Sequence, residues 1–132
     1  MNGLDRMDVR EIQVSDLRIA YRQAGTGPPL VLLHGGMEDS RAWTSQLDGL
    51  ADEYTVFAWD APGCGHSTDV PEAWRLPDFA DALAAWLRAV DAEHPHVLGL
   101  SWGYRAMAHS MAEADLRGGS FDRCRRPEQV SR

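Results

Sequence analysis

Two short segments near the N-terminus alternate apolar and polar residues. Residues 11–14 read Glu-Ile-Gln-Val, and residues 17–22 read Leu-Arg-Ile-Ala-Tyr-Arg. Alternation with a period of two places the apolar side chains on one face of a strand. The Ser-Asp pair at residues 15–16 separates the segments by two residues, which is the length of a tight turn. The pattern therefore predicts an antiparallel β-hairpin at one side of a sheet.

Three later segments are apolar without alternation. They read Leu-Val-Leu-Leu at residues 30–33, Val-Phe-Ala-Trp at residues 56–59 and Val-Leu at residues 97–98. Strands that are apolar on both faces are typical of a parallel sheet covered by helices on either side. We predict that these three segments form the interior of the same sheet.

Helical patterns separate the apolar segments. Trp43, Leu47 and Leu50 are spaced by four and three residues, after a polar Glu-Asp-Ser start that is suited to capping a helix. A second and longer helix is indicated by apolar residues at helical spacing, namely Leu76, Phe79, Leu83, Trp86, Leu87 and Val90. The alternation of strands and helices predicts an α/β fold with a mostly parallel sheet of about five strands, flanking helices and right-handed crossovers.

The C-terminal part breaks this pattern. Beyond Glu113 only isolated apolar residues occur, and the charge changes sign: residues 1–103 carry 7 arginines and 16 acidic residues, whereas residues 104–132 carry 6 arginines and 4 acidic residues. We therefore expect one core over residues 1–112 and an irregular, disordered or unrelated tail over residues 113–132.

Composition excludes several classes of function. All 13 basic residues are arginine, which rules out a P-loop lysine, a Schiff-base lysine and the kinase lysine. The net charge of −7 argues against nucleic acid and against an anionic membrane as partners. Only two cysteines, Cys64 and Cys124, are present, the N-terminus is polar and the longest apolar run is six residues. These features predict a cytoplasmic location without a membrane span.

The candidate chemistry begins at residues 99–103, which read Gly-Leu-Ser-Trp-Gly directly after an apolar run. The pattern G-x-S-x-G is typical of a sharp turn from a strand into a helix, with a serine hydroxyl held clear of the sheet. Gly99 and Gly103 suit this turn because its backbone is strained and crowded. We refer to residues 99–103 as the elbow.

Two further turns follow apolar segments. His34-Gly35-Gly36 follows the third predicted strand, and residues 60–67, Asp-Ala-Pro-Gly-Cys-Gly-His-Ser, follow the fourth. Alone, the first also suits an ordinary strand-to-helix turn. The second resembles a nucleotide-binding loop, but it lacks the third glycine and no helix begins promptly after it.

Together and in this order, the three turns resemble those of the α/β-hydrolase family, over about residues 9–103. The resemblance implies a small-molecule acyl substrate, no metal and no cofactor, with Ser101 as nucleophile and the backbone amides of Gly36 and Trp102 as an oxyanion hole. It assigns a supporting role within the three turns to His34, Gly35, Asp60, Gly99 and Gly103.

One departure from the family is evident. The family places its catalytic acid and histidine well after the nucleophile, but only 31 residues follow Ser101, without a strand-like run. His109 lies about two helical turns from Ser101, some 12 Å along the axis, and is not expected to reach its hydroxyl.

We therefore expect a serine hydrolase truncated before the triad acid and histidine and inactive alone. The alternative is a non-catalytic product of truncation or frameshift, or a small binding module on the same scaffold. In either case the last strand presents an apolar edge, which predicts marginal stability and self-association.

Overall fold

The computed structural model describes residues 9–92, 94–103 and 105. Five strands form one sheet: β1 (Arg10–Val14), β2 (Leu17–Ala24), β3 (Pro29–Leu33), β4 (Thr55–Trp59) and β5 (His96–Gly99). The helical segments are a 3-10 turn (Ser40–Trp43), α1 (Thr44–Gly49) and α2 (Leu76–Ala89). These elements confirm the predicted α/β class.

The strand order in the sheet is β1-β2-β4-β3-β5. The predicted hairpin is confirmed, because β1 and β2 pair antiparallel with Ile12 opposite Ile19. Strand β2 also pairs antiparallel with β4, whereas β3 lies parallel between β4 and β5. The sheet is therefore mixed, and its parallel part consists of the three strands whose apolar runs predicted it.

Each inner strand contributes to two separate apolar clusters. In β3, Val31 and Leu33 join the cluster that includes α2, while Leu32 faces the cluster that includes α1. In β4, Phe57 and Trp59 alternate in the same way with Val56 and Ala58. Burial on both faces is the physical reason that the runs at residues 30–33 and 56–59 are apolar without interruption.

Helix α2 covers one face of the sheet. Leu83, Trp86 and Leu87 are buried, whereas Phe79 is only half-buried. The Trp86 ring is central to this cluster, with ring centroids 5.4 to 6.4 Å from three aromatic side chains of the sheet, Tyr21, Phe57 and Trp59. Such aromatic contacts stabilise a core beyond the area they bury.

The other face is covered by the 3-10 turn and α1. Trp43 and Leu47 are buried as predicted, but the predicted single helix is divided where the 3-10 turn ends and α1 begins. Asp39 caps the 3-10 turn by accepting a hydrogen bond from the Arg41 N–H at 2.9 Å.

Two predictions concern residues outside the described part of the chain, namely the irregular tail at 113–132 and the position of His109. Within the described part, no helix combines the length and the apolar character needed to cross a bilayer.

Candidate active site

The three parallel strands end at the same edge of the sheet, and each is followed by one of the three predicted turns. Leu33 of β3 pairs with Gly99 of β5, and the Leu100 N–H donates to the Leu33 carbonyl at 3.0 Å. Residues 34–36 and the elbow therefore begin side by side. In open α/β sheets, the carboxyl ends of the strands are where ligands bind.

Ser101 has a backbone conformation that non-glycine residues rarely adopt. Its φ is +52°, in the left-handed region, and its side chain is exposed. Helical backbone begins at Trp102, and the Gly103 N–H donates to the Leu100 carbonyl at 2.8 Å. The elbow is thus the strained strand-to-helix turn that the sequence pattern predicts.

Gly103 allows the helix after the elbow to approach β3 closely. A Cβ atom at this position would lie 2.5 Å from the His34 carbonyl oxygen and 2.7 Å from that of Leu33. Both contacts are with backbone atoms, which cannot rotate away as a side chain can. A glycine at this position is therefore a requirement of packing.

The loop at residues 34–36 lies against the elbow. A Cβ atom added to Gly35 would be 3.7 Å from the Cβ of Ser101, and one added to Gly36 would be 3.9 Å from the Cβ of Trp102. The predicted nucleophile and the two predicted oxyanion residues are therefore neighbours in space, although 64 residues lie between Gly36 and Ser101 in the chain.

His34 is buried and uses both of its ring nitrogens. Its Nε2 accepts a hydrogen bond from the Ala61 N–H at 3.0 Å, and its Nδ1 lies 2.7 Å from the Gly35 carbonyl oxygen. This network assigns the neutral tautomer with the proton on Nδ1, which donates to Gly35. His34 therefore ties the loop at residues 34–36 to the turn after β4.

Asp60 organises the turn that follows β4. The residue is buried, with 1% of its surface exposed. Its carboxylate accepts hydrogen bonds from the backbone N–H groups of Ser40, at 2.7 Å, and His66, at 3.0 Å. The Ser67 hydroxyl donates to the Asp60 carbonyl at 2.6 Å and accepts from the Ala20 N–H at 2.8 Å. Asp60 thus joins the turn to the start of the 3-10 segment.

Sequence reasoning did not identify Glu38 or Met37 as part of this region. The Glu38 carboxylate accepts a hydrogen bond from the Gly35 N–H at 3.0 Å. Met37 is fully exposed and has a φ of +62°. A polar residue three positions after a glycine is a common turn arrangement, so the sequence carried only a weak signal for this contact.

A cavity of about 530 Å³ adjoins the elbow. Gly36 and Trp102 line it, together with the half-buried rings of Trp74 and Phe79. Trp74 and Phe79 were not predicted as site residues, because they come from different turns around the start of α2 and show no shared periodicity. Cys64 also lines the cavity. Burial raises the pKa of its thiol, and the nearby Asp60 charge raises it further, so the thiol stays protonated at neutral pH.

The described residues show no proton acceptor bonded to the Ser101 hydroxyl. Its hydroxyl has no hydrogen-bond partner among them, and both nitrogens of His34 are already engaged. His96 begins β5 while Ser101 follows the other end, so the strand, roughly 10 Å long, separates them. The His66 ring lies 3.7 Å from the Asp60 carboxylate, beyond hydrogen-bond distance.

Within the described part of the chain, no group of three or more histidine, cysteine or acidic side chains is arranged to hold a metal ion.

Comparison with known proteins identifies the family. The profile of the alpha/beta hydrolase fold matches residues 28–109. A proline iminopeptidase of Heyndrickxia coagulans is 34% identical over 97 residues, which cover 70% of this chain and 34% of that protein. An (E)-2-((N-methylformamido)methylene)succinate hydrolase of Acinetobacter baylyi is 34% identical over 124 residues, which cover 93% of this chain and 43% of that protein.

The fold leads to the same family. The crystal structure of a membrane phospholipase A, described as a bacterial virulence factor, superimposes with a TM-score of 0.79 at 30% identity, over 86% of this chain and 38% of that one. The chain thus spans less than half the length of each of these three proteins. The matched profile, the strand order and the strained turn at Ser101 together show that this chain belongs to the α/β-hydrolase family.

Proposed function

We propose that Ser101 is the nucleophile of a serine hydrolase that transfers an acyl group from an ester or amide-like substrate to water. The observation that carries the proposal is the left-handed backbone of Ser101 at a strand-to-helix turn, beside Gly35 and Gly36. Strain of this kind in a non-glycine residue costs of order 1–3 kcal/mol, must be held in place by the surrounding structure and clusters at active sites.

In the proposed reaction, the Ser101 oxygen attacks the substrate carbonyl carbon and gives a tetrahedral intermediate. The backbone N–H groups of Gly36 and Trp102 stabilise the negative charge that develops on the carbonyl oxygen. Collapse of the intermediate expels the alcohol or amine and leaves an acyl-serine ester, which water then hydrolyses. A base must take the hydroxyl proton in the first step and pass it to the leaving group.

We propose that this base and its supporting acid come from sequence beyond the described residues. Two observations support this part of the proposal. Both nitrogens of His34 are engaged elsewhere, and the chain spans only 34% and 43% of the two curated relatives. Without a base the serine is a weak nucleophile at neutral pH, so the described part of the chain would by itself be a very slow hydrolase.

The relatives support a reaction class rather than one substrate. One relative is named as a proline iminopeptidase and the other as the hydrolase of a succinate derivative, and what the two activities share is hydrolysis.

We also propose a cytoplasmic location, which the cysteine-poor composition supports.

Covalent labelling tests the proposal. The full chain is treated with an alkyl fluorophosphonate, with and without added imidazole as an external base, and the modified residue is located by mass spectrometry. We expect labelling near background without imidazole and a clear rise with it. Ser101→Ala should abolish the rise. Ser45→Ala, which removes an exposed serine of α1, should leave it unchanged.

Two results would contradict the proposal in different ways. Equal labelling of the wild-type chain and Ser101→Ala would show that Ser101 is not the nucleophile. Rapid labelling without imidazole that substitution of one of the described histidines removes would show that the described residues supply the base.

A further inference from the structure

The cavity beside the elbow is placed to hold the part of a substrate next to its reacting carbonyl. Its wall includes both Gly36 and Trp102, whose amides are the proposed oxyanion donors. A group that fills the cavity would therefore adjoin a carbonyl held at Ser101. The volume of about 530 Å³ is within the usual range for small-molecule sites.

One wall of the cavity is aromatic. The Phe79 ring packs edge-on against Trp102, with centroids 4.7 Å apart, and against Trp74, with centroids 5.0 Å apart. All three side chains are half-buried, so part of each ring faces the open space. This wall favours an apolar or aromatic group, and indole rings also attract cations.

The remaining charge in the cavity wall is negative. Asp69 and Glu72 line it, and neither carboxylate has an ion pair or a hydrogen bond with another described residue. Across the described part of the wall, none of the lining residues is basic. Arg75 does not line the cavity, and its guanidinium donates to the backbone carbonyls of residues 72–74.

We propose that the cavity takes an apolar acyl group that carries an ammonium, and that it rejects acyl groups carrying a carboxylate. The specificity-determining residues are Asp69 and Glu72, with Trp74 supporting the cation. An ammonium in the cavity would be attracted by two carboxylates and by the indole face, whereas a carboxylate would be repelled by both charges. This inference rests on the proposed function, because it assigns the cavity to the acyl group of a Ser101 substrate.

Binding of three matched ligands tests the inference without requiring catalysis. The ligands are 3-phenylpropylammonium, 3-phenylpropan-1-ol and 3-phenylpropanoate, which share one apolar part and differ in charge. They are titrated into the full chain at neutral pH and low salt, with binding followed by NMR shifts or calorimetry. We expect the ammonium to bind at least about tenfold more tightly than the carboxylate, with the alcohol between them. Added salt should reduce the difference, because both carboxylates are exposed.

The double variant Asp69→Asn/Glu72→Gln should bring the three affinities to within about twofold of one another. Asp48→Asn/Glu53→Gln is the matched control, because it makes the same change in net charge at exposed residues outside the cavity. The control should keep the wild-type preference. Circular dichroism of each variant establishes that it is folded.

Tighter binding of the carboxylate, equal binding of the three ligands, or no binding of any would overturn the inference. So would a preference that the control variant loses as fully as the Asp69/Glu72 variant. Ser101→Ala separates this inference from the proposed function, since it should bind the ammonium as the wild type does. A chain with the ammonium preference but without labelling at Ser101 would retain the inferred cavity and lose the proposed nucleophile.

Discussion

Replacing Gly103 by alanine tests whether close packing, rather than chain flexibility, requires a glycine at the end of the elbow. The added Cβ would lie 2.5 Å from the His34 carbonyl oxygen and 2.7 Å from that of Leu33, where ordinary contact begins at 3.4 Å. Both obstacles are backbone atoms of β3 and the loop that follows it. The first turn after Ser101 would therefore have to retreat by about 1 Å.

The expected loss of stability follows from three contributions. Overpacking of this kind costs about 1–3 kcal/mol. The retreat also weakens the hydrogen bond from the Leu100 N–H to the Leu33 carbonyl, which contributes about 1 kcal/mol. The greater helix propensity of alanine returns close to 1 kcal/mol. The free energy of unfolding should consequently fall by about 1–3 kcal/mol.

Urea unfolding, followed by tryptophan fluorescence and far-ultraviolet circular dichroism, measures this change. Gly49→Ala is the matched control, because no atom lies within 4 Å of its added Cβ and it ends α1 on the opposite face of the sheet from α2. The control should be neutral or stabilising by up to about 1 kcal/mol. A Gly103→Ala chain as stable as the wild type, with unchanged labelling of Ser101, would refute the packing argument.

Three further predictions concern the turn after β4, the cysteine of the cavity and the sheet edge. Asp60→Asn should lower the free energy of unfolding by about 1–3 kcal/mol, because the amide cannot accept hydrogen bonds from both backbone donors as the carboxylate does. The control Asp81→Asn, on the exposed face of α2, should change the free energy of unfolding by less than about 0.5 kcal/mol. In a Cys124→Ser background, alkylation of Cys64 by iodoacetamide should be slower at pH 8 than that of a free cysteine and should rise as the pH increases, since its pKa is raised. The edge of β5 (His96–Gly99) that does not face β3 should promote self-association, so the sedimentation coefficient and the melting temperature should depend on concentration.

Each of these has a distinct contrary outcome. Equal effects of the two aspartate substitutions would remove the assigned supporting role of Asp60. Alkylation of Cys64 at the rate of a free cysteine at pH 8 would show that its thiol is neither buried nor held protonated. A monomer with a reversible melting transition that is independent of concentration would count against association through β5.

The sequence by itself determined the elements and most of their faces. Continuous apolar runs at 30–33 and 56–59 predicted strands buried on both sides, and alternation at 11–14 and 17–22 predicted a hairpin. The helical spacing from Leu76 to Val90 matched α2 almost to the residue. These features are encoded locally, because the period of the pattern reflects the geometry of a single element. The three turns were likewise recognisable, since a strained or crowded backbone restricts which residues can occupy it.

The tertiary structure alone decided how these parts meet. The strand order β1-β2-β4-β3-β5 places β3 beside β5, and this brings Gly35 to Ser101 across 65 intervening residues. The hydrogen-bond partners of His34 were also unknown from the sequence, and the structure shows one at each ring nitrogen. Trp74 precedes α2 and lies outside its helical spacing, so no local pattern linked it with Phe79. Contacts between distant segments depend on chain topology and packing, and no local pattern of apolar and polar residues carries that information.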